Sequence, residues 1–144
     1  MSRVVYVNGR YRPYADAAVH VEDRGFQFAD AIYEVVEVLG RRLVDSTRHL
    51  DRLERSLREI GMTPPMSRPA FLNVIRQTIE RNRVQHGLVY IQVSRGAGPR
   101  DFAFPGDDIQ PTVVVIARSQ NPAKIAATAD AGIAVKTMPD IRWG

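Results

Sequence analysis

Arg95 and Arg100 frame a short stretch, RGAGPRDFAFPGD, that follows directly on the apolar run LVYIQVS. A guanidinium is a planar fork of donors that fits carboxylates and phosphates bidentately. Here the glycines allow a sharp turn and Pro99 stiffens the approach to Arg100. Such a loop aims a charged group at a fixed point, where a charge-assisted hydrogen bond is worth ~1.5–3 kcal/mol in a partly dry site. The plain alternative is a solvated hairpin tip. Arg52 is a second candidate. Arg48, His49 and Arg55 lie near it at helical spacing and make a basic face that suits a phosphate. Asp51, Glu54 and Glu59 could equally make this an ordinary balanced surface.

These side chains need elements to position them. VVYVNGRYRPY reads as a hairpin turning at Asn8-Gly9, and AIYEVVEVLGRRLVD as a second hairpin turning near Gly40. In the first strand of the latter, Ile32, Glu34, Val36 and Val38 share one face, and Tyr33, Val35, Glu37 and Leu39 the other. Glu34 is then the only charge on an apolar face and requires a partner, because an unpaired buried carboxylate is costly. The preceding EDRGFQFAD reads as a loop with alternating aromatics.

STRHLDRLERSLREIG predicts a helix capped by Ser46 or Thr47, with Leu50, Leu53, Leu57 and Ile60 inward and Gly61 at its end. A second helix, capped near Ser67, turns Phe71, Val74, Ile75 and Ile79 inward and stops around Asn82. GLVYIQVSR and TVVVIAR read as central strands. The expected architecture is a two-layer α+β domain, with a mainly antiparallel sheet and two helices on one face, over residues 1–119. Residues 120–132, small and alanine-rich with an Asn-Pro breaker, read as a linker. Residues 133–144 read as the first strand of a truncated second domain.

The 144 residues suffice for one domain with a real core, and 44% hydrophobic and 25% charged residues are ordinary for a globular chain. Of the 20 basic residues only Lys124 and Lys136 are lysines, and the excess of +4 is spread along the chain. No apolar run approaches the ~20 residues of a membrane span, and no signal segment opens the sequence. The lack of cysteine rules out disulfides and thiolate metal sites, and the three histidines are scattered, so no metal is expected. These features fit a cytoplasmic protein. GAGP lacks the spacing of a dinucleotide fingerprint, and no P-loop is present.

In order along the chain, EDRGFQFADAIYEVVEV, HLDRLERS, YIQVSRGAGPRDFAFP, NP and DIRWG resemble the N-terminal half of D-amino-acid aminotransferases. These are pyridoxal-phosphate enzymes of fold type IV, related to branched-chain aminotransferases and aminodeoxychorismate lyase. YEVV and RGxxPR point to the D-amino-acid branch. The resemblance implies transamination between a D-amino acid and a 2-oxo acid, with pyridoxal 5'-phosphate, in a homodimer. Position by position it implies that Arg52 binds the cofactor phosphate and that Tyr33 helps hold the substrate carboxylate. Arg100 would reach that carboxylate from the other subunit, and Val35 and Tyr90 would lie near the substrate pocket. Arg95 would shape the loop.

Two departures qualify the match. Well-known members carry a histidine where this chain has Phe102, and a phenyl ring donates no hydrogen bond. The family's Schiff-base lysine follows DIRW by a few residues and would fall beyond Gly144, so the 144 residues by themselves are expected to be an inactive N-terminal fragment. Alternatives are a related lyase or branched-chain or amine transaminase. A non-catalytic anion-binding module is the other alternative. Nucleic acid is not expected as a partner, since no aromatic platform is evident.

Overall fold

In a computed structural model, residues 3–106 and 108–141 are described. Among these residues six strands form one sheet in the order β2-β1-β6-β5-β3-β4, with every pairing antiparallel. The strands are β1 (Val4–Val7), β2 (Arg10–Pro13), β3 (Ala31–Leu39), β4 (Arg42–Leu43), β5 (His86–Ser94) and β6 (Thr112–Ser119). Asn8 and Gly9, both at positive φ, turn the first hairpin, a geometry that asparagine and glycine tolerate best. Gly40 and Arg41 turn the second in the same way.

Two 14-residue helices, α2 (Ser46–Glu59) and α3 (Arg68–Arg81), cover one face of the sheet. Alternation along β3 is as expected: Glu34, Val36 and Val38 are buried, whereas Tyr33, Val35, Glu37 and Leu39 are exposed. Leu50, Leu53 and Leu57 from α2 meet Phe71, Val74, Ile75 and Ile79 from α3 over Val89, Ile91, Val93, Val113 and Val115. The α2 helix ends as expected at Gly61, whose N–H bonds the Arg58 carbonyl while the Met62 N–H bonds that of Leu57. Its start differs. Asp45, at φ 48°, is the capping residue in place of Ser46 or Thr47, and its side chain makes no capping bond, because the left-handed backbone turns it away.

Two further helices were not expected. Arg24–Phe28 forms α1, capped by the Asp23 carboxylate, which accepts the Gly25 N–H. Pro122–Ala131 forms α4 inside the segment expected to be a linker. Asn121-Pro122 starts this helix instead of breaking it: the Asn121 side chain accepts the Ala123 and Lys124 N–H groups, and proline at the first position gives up no needed donor. No α4 residue is buried, so the helix lies outside the core. Residues 133–141, expected to begin a strand, are not in one among the described residues. Arg142–Gly144, the rest of that expected strand, lie outside the described residues. Among the described residues no helix is long and apolar enough to cross a membrane.

The opposite sheet face is unevenly covered. Its β1 end, at Val5 and Val7, is buried beside Ala17, Ala18 and Val19. Over β3 it lies open at Tyr33, Val35, Glu37 and Leu39, and over β5 and β6 it is mostly half-buried.

Candidate functional site

Glu34 is 2% exposed and has the partners its position requires. Arg52 donates Nε to Oε1 and Nη2 to Oε2, both at 2.6 Å, and His49 Nδ1 lies 2.8 Å from Oε2. Three residues of spacing place His49 and Arg52 on one face of α2, directly over β3. Burial pushes the Glu34 carboxyl up, but the hydrogen bonds from Arg52 and His49 and their charges outweigh it, so its pKa falls below the ordinary value. The same bonds, and the charge of Glu34, raise the Arg52 pKa. The Arg52 side chain stays 55% exposed. Its fork is therefore fixed by a buried anchor through Nε and Nη2, and among the described residues no hydrogen bond takes Nη1.

Tyr33 is 67% exposed on the open face, and its ring stacks on that of Tyr90 with centroids 6.0 Å apart. The register sets Val35, Tyr90 and Ile116 directly opposite one another on three neighbouring strands. They line a hollow of about 520 Å³ with Leu88, Arg118 and Gln120. The Tyr90 hydroxyl bonds the Gln92 amide oxygen, and burial raises its pKa. Three of the expected site residues, Tyr33, Val35 and Tyr90, thus share one surface, whereas Arg52 bonds Glu34 on the helix-covered face.

The loop after β5 leaves from Ser94, which pairs with Ala31 at the start of β3. Arg95 shapes it: Nε bonds Asp30 Oδ2 at 2.7 Å and Nη2 bonds the Ile60 carbonyl at 2.8 Å. Arg24, buried in α1, bonds the same Asp30 oxygen at 2.9 Å and the Asp101 carbonyl at 2.8 Å. Burial raises the Asp30 pKa, yet the two guanidiniums hold it below its ordinary value. Arg100 lies 5.2 Å from the ring centres of both Phe28 and Phe102, and among the described residues no carboxylate bonds it. Gly96 has φ +111°, and a Cβ there would meet the Gln110 carbonyl oxygen at 2.0 Å, so the turn needs glycine.

Glu34, His49, Arg24, Asp30 and Phe28 were not singled out from the sequence as site residues. Parity flagged Glu34 as needing a partner. His49 reads in the sequence only as part of the basic face around Arg52, and Arg24, Asp30 and Phe28 carry no mark there, since their partners include residues far along the chain. No group of three or more acidic, histidine or cysteine side chains that could hold a metal occurs among the described residues.

An arginine locked to a buried carboxylate, with its side chain still 55% exposed, is suited to a small anion. The chain belongs to the amino-transferase class IV family, whose model matches residues 31–143. It is 33% identical over 139 residues to D-alanine aminotransferase of Staphylococcus haemolyticus, covering 96% of this chain and 49% of that enzyme. D-alanine aminotransferase of Listeria monocytogenes is also 33% identical, over 140 residues covering 96% and 48%. The chain spans about half the length of the curated relatives it matches. Among solved structures, 4-amino-4-deoxychorismate lyase from Pseudomonas aeruginosa superposes with a TM-score of 0.64 at 26% identity, covering 81% of this chain and 40% of that one. Branched-chain amino acid aminotransferase from Escherichia coli superposes with a TM-score of 0.74 at 16% identity, covering 83% and 42%, and attests the fold alone. The fold is that of the N-terminal α+β domain of fold type IV enzymes.

Proposed function

We propose that these residues serve a pyridoxal-phosphate-dependent transamination between a D-amino acid and a 2-oxo acid, in a full-length homodimeric enzyme of which residues 1–119 are the small domain. Residues 120–132 connect it to a cofactor-binding domain that begins within 133–144. The observation that carries the reading is the Glu34-anchored fork of Arg52. A phosphate monoester needs a fixed cation with free donors, and Arg52 offers its Nη1 group in that state.

When bound, the cofactor supplies the electron sink that acidifies the substrate α-C–H bond. This chain's residues bind and orient. Arg52 meets the phosphate. Tyr33 and Arg100 hold the substrate carboxylate, Arg100 from the partner subunit, and Val35 and Tyr90 wall the side-chain pocket. Clamping the carboxylate fixes which face of the α-carbon is presented, and stereochemistry follows from that orientation. Lys124 lies on exposed α4 and Lys136 in the segment after it, and neither is assigned the covalent role. The exposed phenyl rings of Phe26, Phe102 and Phe104 around the loop suit a subunit contact.

The test is substrate profiling of the full-length protein with 2-oxoglutarate as acceptor. Pyruvate is expected to form from D-alanine at least tenfold faster than from L-alanine, with L-leucine and 1-phenylethylamine slower still. A preference for L-leucine or for the amine would replace the D-amino-acid reading with one of the related transaminases.

A further inference from the structure

We infer that Phe28 and Phe102 are positioning residues for the Arg100 carboxylate clamp, so that aromatic rings, not a second hydrogen-bond donor, support the substrate's acid group. This rests on the reading of Arg100 given above. Three arginines and three phenylalanines alternate at the base of the loop. Arg95 lies 4.8 Å from the Phe104 ring centre, Arg24 lies 5.9 Å from Phe104 and 4.8 Å from Phe28, and Arg100 lies 5.2 Å from both Phe28 and Phe102. The Phe28 and Phe102 rings, 5.8 Å apart and tilted by 60°, form a corner around the Arg100 guanidinium.

Hydrogen bonding sorts the three cations. Arg24 and Arg95 spend their donors on Asp30 and on backbone carbonyls. Among the described residues no side chain or carbonyl competes for those of Arg100. A ring face attracts a guanidinium through its quadrupole without consuming an N–H donor. Among the described residues, Arg100 is therefore held by ring faces that take none of its donors. The loop beside it is pinned as well, because Arg24 binds the carbonyl of Asp101, the residue following Arg100. Phe102 is 78% exposed, so its ring contributes little to the core and its contact with Arg100 needs another explanation. The same ring cannot bond a carboxylate, which leaves Arg100 as the cation of this loop that takes it.

The test uses the full-length, cofactor-loaded enzyme and calorimetric binding of propanoate, a carboxylate that cannot be transaminated. Phe28→Leu and Phe102→Leu are each expected to weaken propanoate about two- to fivefold. Phe102→Trp, which keeps a ring face, should restore it. With D-alanine, KM should rise by a similar factor while kcat and cofactor affinity hold. If both leucine variants bind propanoate like the wild type while Arg100→Ala loses it, the rings do not position the clamp. If cofactor affinity falls in step with propanoate affinity, the rings are merely structural and the inference also fails. If Arg100→Ala itself binds propanoate unchanged, the clamp reading falls together with this one. Because Phe102 lies at the surface, its variants keep the test valid even if Phe28→Leu misfolds.

Discussion

Two carboxylates organise the candidate site, and both do so from below. Glu34 is bonded by Arg52 and His49 and Asp30 by Arg24 and Arg95, and each carboxyl is held below its ordinary pKa because those interactions outweigh the effect of burial. A carboxylate with a depressed folded-state pKa adds stability above its unfolded value, and this is lost as pH falls through the folded value. The Glu34 contribution is thus complete above about pH 4–5 and fades below that. The Glu34→Gln variant should show a shallower loss of melting temperature between pH 5 and pH 2 than the wild type, measured by thermal scans at several pH values. It should also bind pyridoxal phosphate more weakly in the full-length protein, since an amide cannot anchor the Arg52 fork through two charge-assisted acceptors. An unchanged acid limb would mean that the Glu34–Arg52 pair is loose in solution.

At the scale of elements, the helix layer stores the stability and the loop spends it on geometry. Leu57 is fully buried where α2 meets the sheet. Leu57→Ala should cost ~2–5 kcal/mol in a urea titration, because transfer and cavity terms add. Gly96 acts differently. Gly96→Ala would force its Cβ into the Gln110 carbonyl and displace the loop carrying Arg100. Propanoate affinity should then fall several-fold, while a hydrogen-exchange map of α2 and α3 stays close to that of the wild type. Loss of protection throughout both helices would show instead that the loop is part of the folding core. The bonds from Arg24 and Arg95 to Asp30 explain why this loop can be irregular in backbone and still hold one geometry.

For the whole molecule, the open sheet face and the exposed phenylalanines ask for a second layer. The full-length protein is expected to sediment as a dimer, and exchanging Phe26 and Phe104 for serine should shift it toward monomer. Residues 1–144 alone, mixed with pyridoxal phosphate and reduced with borohydride, should give no unique adduct at Lys124 or Lys136. Mass spectrometry of the digested protein decides this, and a single labelled lysine would contradict the assignment of roles.

Period-two and helical patterning named both hairpins, both main helices and the two central strands, because a half-buried element writes its buried face into residue order. The same parity showed that Glu34 had to be paired. It could not say with what: Arg52 and His49 lie 18 and 15 residues away, and their meeting depends on how α2 crosses β3. Nor could it find Asp30, whose partners Arg24 and Arg95 converge from α1 and from the end of β5. The two short surprises, α1 and α4, have weak apolar periodicity, and their capping bonds decide them. Local order thus determined which residues form each element and which face each one buries. Tertiary structure alone decided which charges meet, because ion pairs and ring contacts form across space between segments whose sequence separation carries no signal.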